Sequence, residues 1–506
     1  MALSVEQLAI ANFVATTNQN LVVRARAGTG KSFTIRKIIP LFGAKVAVLA
    51  FGKDAAADMS AKCAEEGIHN AQVGTFHSFG LRAVFGAYKN TKVTSTTKKF
   101  EQIVERLCIP KYLESFVSKA MSLAMQRGFG VFHKINSKSE WFAMIDHFNL
   151  EDCLGEDNMG VQVKGMEQTV MDGIVFAIKA IKLSLEMLPV AVSFDDMMYA
   201  PLALNLNFPR FDAVLVDEFQ DSNPCRREIA ARMMKTNGRF VGVGDDMQAI
   251  MGFTGADNDA MDQGIAQFNA TVFPLTVTRR CSQAVVKLAQ TLVPDFAAHE
   301  DNQEGNVDSI TQDEFTRLAL IPGEDAVICR KTAPLISVCY SLLARSISAR
   351  VLGKDIGAGL IKLVDRWKVK SLQAFEDKLS IYYDKEVEKL TNAKKTTAVE
   401  ALTDKVEALR VMINALPRNT ATLADLRSQI EMLFVDASDG TKKEFVTLMT
   451  AHKSKGLEFN RVFGLGNAKW FPSKYAEQAW QLHQEDCLLY VLWTRAIQTY
   501  VDVVVD

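Results

Sequence analysis

LVVRARAGTGKS, residues 21–32, is an apolar run that ends in a turn with two glycines, Gly28 and Gly30, followed by Lys31 and Ser32. The run reads as a buried strand and the residues from Lys31 onward as a helix. Glycines placed between a strand and a helix let backbone N–H groups turn inward on a phosphate, and the helix N-terminus adds its dipole. In that arrangement Ala27, Gly28, Thr29 and Gly30 wrap a phosphate chain. Lys31 reaches the outer phosphates, and the Ser32 hydroxyl takes a place on Mg2+. Ala25 stands where the common pattern G-x-x-x-x-G-K-[ST] has its first glycine. For this stretch alone, a glycine-rich helix cap beside a chance lysine is the competing reading.

A second apolar run, VLVDEFQDSN at 214–223, delivers two adjacent carboxylates to the end of a strand. Asp217 fits a second protein contact to the metal, and Glu218 fits the base that positions an attacking water. Gln220 and Asp221 form a polar tail that bare hydrolysis has no use for, which suggests hydrolysis reported to another part of the protein. The two runs together point to a P-loop nucleoside triphosphatase.

Around them, residues 1–80 alternate helical and strand patterns: a helix near 5–17, a strand at 21–25, a helix from 31 and a strand at 45–51. That rhythm predicts a parallel sheet covered by helices. Residues 85–205 lose it and read as a mainly helical insertion. Strand runs return at 212–217, 239–243 and 272–277, and a second strand–helix series starts near 306. Residues 357–443 turn helical and charged, with a helix-favouring run at 386–416, before strands at 444–452, 461–466 and 500–505. The predicted fold class is α/β, with two parallel-sheet domains that each carry a helical insertion.

With 506 residues, 48% apolar and 23% charged, the chain is too long for one core and too apolar for extensive disorder. The opening residues have no signal pattern. The apolar stretch 173–192 is broken by Lys179, Lys182 and Glu186, which excludes a membrane span there. The eight cysteines show no metal-site spacing and read as reduced thiols of a cytosolic protein. Net charge is −1, but ten Lys/Arg fall within 85–140 and ten acids within 141–200. Such blocks form either a phosphate-facing side or solvated helix faces.

Further strings follow in order: LSVEQ (3–7), AFGKDAAADM (50–59), TFHSFG (75–80), VGVGDDMQAIMGFTGAD (241–257), LTVTRRC (275–281), VTLMTAHKSKGLEF (446–459) and EDCLLYVLWTRA (485–496). With the two runs above, the series resembles superfamily 1A DNA helicases of the UvrD/Rep/PcrA type. The resemblance implies two RecA-like domains, 1–84 plus 206–280 and 281–356 plus 444–506, with insertions at 85–205 and 357–443. The second insertion is short, and no C-terminal extension is expected. ATP and Mg2+ are the implied cofactors. Gln7 would read the adenine edge, Arg279 stack on the base and Glu458 reach the nucleotide. Gln248 would sense the γ-phosphate, which Arg280 and Arg495 would contact from the second domain. Phe51 and Phe253 would stack on bases, Thr75, His77, Thr450 and His452 would contact DNA, and Lys453 would add a phosphate contact.

Those roles imply an ATP-dependent helicase or translocase moving 3′→5′ on single-stranded DNA and acting at duplex junctions. No membrane is expected; the roles are compatible with a monomer, in the cytoplasm or on the nucleoid, and name no protein partner. A translocase that strips proteins from DNA without unwinding it shares the same residues, as does a non-hydrolysing scaffold. Four departures stand out. Arg26 replaces a loop glycine, as a phosphate ligand or as a restriction on the loop. Thr254 replaces an arginine, Arg279 a tyrosine, and Gly52, Lys53 and Asp54 the string T-N-K.

Overall fold

A computed structural model of the chain describes residues 3–148, 150–154, 165–250, 259–367, 369, 371–392, 396–417, 420–435, 444–476 and 478–505. The chain divides into two compact units, Met1–Arg26 with Gly30–Leu275, and Ala27–Thr29 with Thr276–Asp506.

The strands of the first unit are β1 (Leu21–Ala25), β2 (Val46–Ala50), β3 (Ala71–Thr75), β4 (Lys92–Val93), β5 (Ala191–Val192), β6 (Phe211–Val216), β7 (Met234–Gly244) and β8 (Thr271–Leu275). Six of them form one sheet in the order β3-β2-β6-β7-β1-β8, and every pairing is parallel. A parallel sheet is covered on both faces, so its central strands are mostly apolar rather than alternating where they pair. β2, VAVLA, is buried at all five positions. Alternate residues then feed two cores. Val22, Ala47, Leu49, Val214 and Val216 lie in one, and Leu21, Val23, Val46, Val48, Ala213 and Leu215 in the other.

Strand order matters more than chain order here. β6, β7 and β1 are neighbours, so the residues just beyond their C-terminal ends meet although up to 220 positions separate them. Open parallel sheets bind ligands at that edge.

The first insertion has its own core, built on Phe116, Phe129 and Trp141. Its helices Thr96–Leu107, Met166–Glu186 and Phe194–Ala203 are tied by one buried ion pair. Lys99 Nζ donates to Asp196 Oδ2 at 2.6 Å, to Ser184 O at 2.9 Å and to Ala191 O at 3.0 Å. Lys99 is 1% exposed. It therefore leaves the basic block that the sequence offered as a phosphate-facing side.

The second unit contains the short pair β9 (Val277–Thr278) and β10 (Ala297–Ala298), then β11 (Asn306–Thr311), β12 (Asp325–Cys329), β13 (Ala349–Leu352), β14 (Phe434–Val435), β15 (Val446–Thr450), β16 (Phe459–Leu465) and β17 (Ala496–Val504). Its sheet runs β11-β17-β16-β12-β15-β13-β14, again with parallel pairs. The run 386–416 is shared between two helices, Leu372–Asn392 and Thr396–Asn414. Phe375, Leu379, Val406, Leu409 and Met412 of these helices share one core with Val327, Leu448 and Phe463 of the sheet. The second insertion thus extends the sheet's core, whereas the first builds a core of its own and adds only the buried Met198 and Leu202, among the described residues, to that of the sheet. Both units are parallel-sheet α/β folds of the RecA-like kind. Among the described residues no helix is long and apolar enough to cross a membrane.

Candidate nucleotide and nucleic-acid site

β1 ends at Ala25 and the loop turns through Gly28 (φ +68°) and Gly30 (φ +87°) into the helix Lys31–Ile38. These are left-handed conformations, which cost an L-residue about 1–2 kcal/mol. Glycine is therefore required by the turn itself. A Cβ on Gly30 would meet Gln7 Nε2 at 3.1 Å, so the Gln7 side chain sits against the loop. Gln7 is 7% exposed and has structural work there. Its Oε1 accepts from Ser4 N at 3.0 Å in a capping box, and its Nε2 donates to Thr34 Oγ1 at 3.2 Å.

Beyond β6, each residue of DEFQD has a separate place. Asp217 Oδ2 accepts from Ser32 Oγ at 3.2 Å, and Glu218 Oε2 pairs with Lys31 Nζ at 3.1 Å. Glu218 holds φ +50°, ψ +46°, a left-handed backbone unusual for a residue with a Cβ. Surroundings must fix such a conformation, and such residues cluster at functional sites. Phe219 is fully buried, packs on Phe240 and fills the space above Gly242 and Gly264. It anchors the segment.

Gln220, 1% exposed, is the bridge. Its Nε2 donates to Glu218 Oε2 at 2.5 Å and its Oε1 accepts from Asp245 N at 3.0 Å. Asp245 follows β7, and its buried carboxylate accepts from Gln248 Nε2 at 2.6 Å and from Met247 N at 3.2 Å. The polar tail therefore joins the carboxylate beside Lys31 to the segment that carries Gln248. Asp221, 2% exposed, accepts through its backbone carbonyl from Arg226 Nη1 at 2.6 Å.

The electrostatics follow from burial. Burial, then Glu218, pushes the Asp217 carboxyl up to about 6; burial likewise lifts Asp245 to about 6 against the pull of Lys31 and Arg26. Burial pulls the Lys31 ammonium down, but Glu218, Asp245 and Asp217 outweigh it and leave it above its ordinary value. The cation is thus held charged at the mouth of a glycine turn. A hydroxyl and a carboxylate 3.2 Å apart, Ser32 and Asp217, are the hard oxygen donors that Mg2+ takes alongside phosphate oxygens. The residues present fit a magnesium nucleotide.

In the second unit Arg280 Nε pairs with Glu458 Oε2 at 2.6 Å. Two of the residues expected to reach a nucleotide from this unit therefore hold each other. Arg279 Nη2 lies 2.8 Å from His299 Nε2. Arg495, 1% exposed, donates through Nε to Val491 O at 2.9 Å, through Nη1 to Leu457 O at 2.9 Å and through Nη2 to Thr494 Oγ1 at 3.2 Å. Its guanidinium is engaged within its own unit rather than extended, which the sequence did not anticipate.

On the nucleic-acid side, Phe51 follows β2, Thr75 is the last residue of β3 and His77 lies just beyond it. Thr75 Oγ1 accepts from Ser78 N at 3.2 Å, so it caps the helix Phe76–Ala87. Phe51 carries the Arg226 guanidinium 4.3 Å from its ring centroid. His77 meets Phe194 edge-on, and burial, then Arg226, lowers its imidazole to about 4. Thr450 is the last residue of β15, and His452 and Lys453 follow it. Burial, then Arg330 and Lys453, takes His452 down to about 4. Lys453 pairs with Asp355 at 2.8 Å on the surface. Phe253 and the replacement Thr254 lie outside the described residues.

The UvrD/REP helicase N-terminal domain matches residues 4–269, more than half of the chain. The chain belongs to the UvrD/REP helicase family. Among similar proteins, DNA helicase II of Haemophilus influenzae is 31% identical over 93 residues, 18% of this chain and 13% of that protein. The RecBCD enzyme subunit RecB of Mycobacterium tuberculosis is 34% identical over 86 residues, 17% of this chain and 8% of that protein. The matched stretches thus span a small part of each relative.

Within this UvrD/REP family member the sequence reading missed two groups. Asp245 stood inside a quoted motif but had no role; a carboxylate directly after an apolar strand was the available signal. Arg226 had no signal at all, because its partner Phe51 is 175 positions away and nothing local announces the contact.

Proposed function

We propose that this UvrD/REP family protein is an ATP-dependent DNA helicase that translocates 3′→5′ on single-stranded DNA. The carrying observation is the connected set Lys31–Glu218–Gln220–Asp245–Gln248 at the ends of β1, β6 and β7. A scaffold that only binds nucleic acid gains nothing from burying these charges against one another, because buried ionic networks are costly unless they act.

When bound, the magnesium nucleotide supplies the phosphoanhydride bond whose cleavage drives the cycle. Gly28, Gly30 and the flanking N–H groups bind the phosphates, with Lys31 neutralising charge at the outer end. Ser32 and Asp217 would hold the metal. Glu218 orients a water and takes its proton, which requires it to leave Lys31. The family resemblance gives Arg280 the role of adding positive charge to the transferring phosphoryl group, worth about 10³–10⁵ in rate, and in that role it would leave Glu458. Gln248 reports through Asp245 and Gln220. Phe51 offers a stacking face worth about 1–3 kcal/mol per base, without sequence preference.

The test is ATP turnover and strand displacement on 3′-tailed, 5′-tailed and blunt duplexes. We expect turnover stimulated by single strands, abolished in Lys31→Ala, and displacement from the 3′ tail alone. Stimulated turnover with displacement of bound protein but of no duplex would leave a strand-stripping translocase. Lys31→Ala indistinguishable from the intact protein would refute hydrolysis.

A further inference from the structure

Arg26 is the departure that the family pattern does not account for, since glycine is usual at its position and a glycine makes no side-chain contact. Here the side chain is 12% exposed and reaches across to the segment beyond β7. Its Nη1 lies 2.5 Å from Asp246 Oδ1 and 3.4 Å from Asp245 Oδ1. Asp246 also receives Arg24 Nη1 at 3.0 Å. A carboxylate as buried as Asp245 needs compensation, and Arg26 shares it with Gln248.

The consequence is a closed circuit. Lys31 on one side of the glycine turn pairs with Glu218. Glu218 is joined through Gln220 to Asp245, and Asp245 is joined to Arg26 on the other side of the turn. A loop with glycine at 26 would leave that circuit open. The Asp245–Gln248 segment would then keep its link through Gln220 and lose the one that Arg26 makes.

We infer that Arg26 is a positioning residue that couples the phosphate loop to the Asp245–Gln248 segment, so that nucleotide occupancy and single-strand binding are linked through its pairing with Asp245 and Asp246. The inference rests on the reading of the loop as a nucleotide site and of the protein as a single-strand binder. It does not rest on hydrolysis. Arg26 acts through the aspartates and not on the phosphates, which separates it from Lys31.

The experiment measures affinity for a fluorescent single-stranded oligonucleotide with and without a non-hydrolysable ATP analogue, and affinity for the analogue alone. Linkage is reciprocal, so the ratio of the two DNA affinities reads the coupling directly. We expect the full chain to show a ratio of about fivefold or more. In Arg26→Gly it falls to within about twofold of unity, while each separate affinity stays within about threefold. Arg26→Lys, which keeps the charge, recovers most of the ratio; Arg26→Gln carries the same test if the glycine variant is poorly folded.

An unchanged ratio in Arg26→Gly or Arg26→Gln overturns the inference, as does the absence of linkage in the intact protein. A tenfold loss of analogue affinity in Arg26→Gly also overturns it, by making Arg26 a phosphate ligand. Turnover measured in parallel keeps the two readings apart. Arg26-dependent linkage without turnover refutes hydrolysis alone, and turnover with Arg26-independent linkage refutes this inference alone.

Discussion

Replacing Gln220 by alanine removes two contacts at once, the 2.5 Å bond to Glu218 Oε2 and the 3.0 Å bond from Asp245 N. Gln220 is 1% exposed, so water does not readily take over. Leaving the Asp245 N–H buried without its acceptor costs about 1–3 kcal/mol, and a hydrogen bond to a charged carboxylate contributes about 1.5–3 kcal/mol. Most of this falls on the placement of Glu218, whose backbone already sits at φ +50° and depends on its neighbours for its geometry. If about 1.5–3 kcal/mol of that loss appears in the barrier, kcat for DNA-stimulated ATP turnover drops roughly 10- to 100-fold. KM for ATP stays within about threefold, because Lys31 and the glycine turn are untouched. Gln220→Glu should fall at least as far, since it keeps an oxygen for Asp245 N but sets a second carboxylate against Glu218. Steady-state turnover against ATP concentration checks both variants. A kcat within twofold of the intact protein, or a tenfold rise in KM at unchanged kcat, would show that Gln220 does not position the base.

Lys99→Met strands Asp196 in the core of the first insertion, and breaking a buried pair this way costs about 3–5 kcal/mol; urea unfolding followed with limited proteolysis of that insertion measures it, and a loss under 1 kcal/mol contradicts the assignment. His77 and His452 lie near 4 in the folded protein against 6.5 in the unfolded chain, so each is neutral when folded and protonates first when unfolded. Their contribution is complete above about pH 6.5 and is lost as the pH falls toward 4, because the unfolded state binds more protons throughout that window. Imidazole NMR titration checks this, and a folded His77 titrating near 6.5 refutes it. Arg226→Gln removes the charge beside His77 and the cation over Phe51. The His77 titration should move upward, and single-strand affinity should weaken about three- to tenfold by loss of a cation–π contact that keeps Phe51 in place; anisotropy with a labelled oligonucleotide reads the second effect, and equal or tighter binding refutes it.

Lys31, Ser32, Asp217 and Glu218 were legible because their chemistry is local. A glycine turn needs only adjacent residues, and an acidic pair at the end of an apolar strand announces itself over a few positions. The same locality explains why β1, β2, β6 and β12 could be read as strands, since a strand buried on both faces is apolar throughout. Arg280 and Glu458 were legible as residues, but their pairing with each other was not. Arg495 was legible as a motif arginine, while its burial against Val491 and Leu457 carbonyls was not.

The sequence by itself determined the α/β class, the phosphate loop, the acidic pair and membership of an ordered series of helicase motifs. Tertiary structure alone decided what the polar tail of DEFQD touches, what Arg26 holds and where Lys99 goes. The physical reason is strand order. β6, β7 and β1 become neighbours only when the sheet assembles, and that step sets Gln220 against Asp245 and Arg26 against Asp245 and Asp246. Side-chain pairing across a sheet edge leaves no periodic trace in the chain, whereas burial of a strand does.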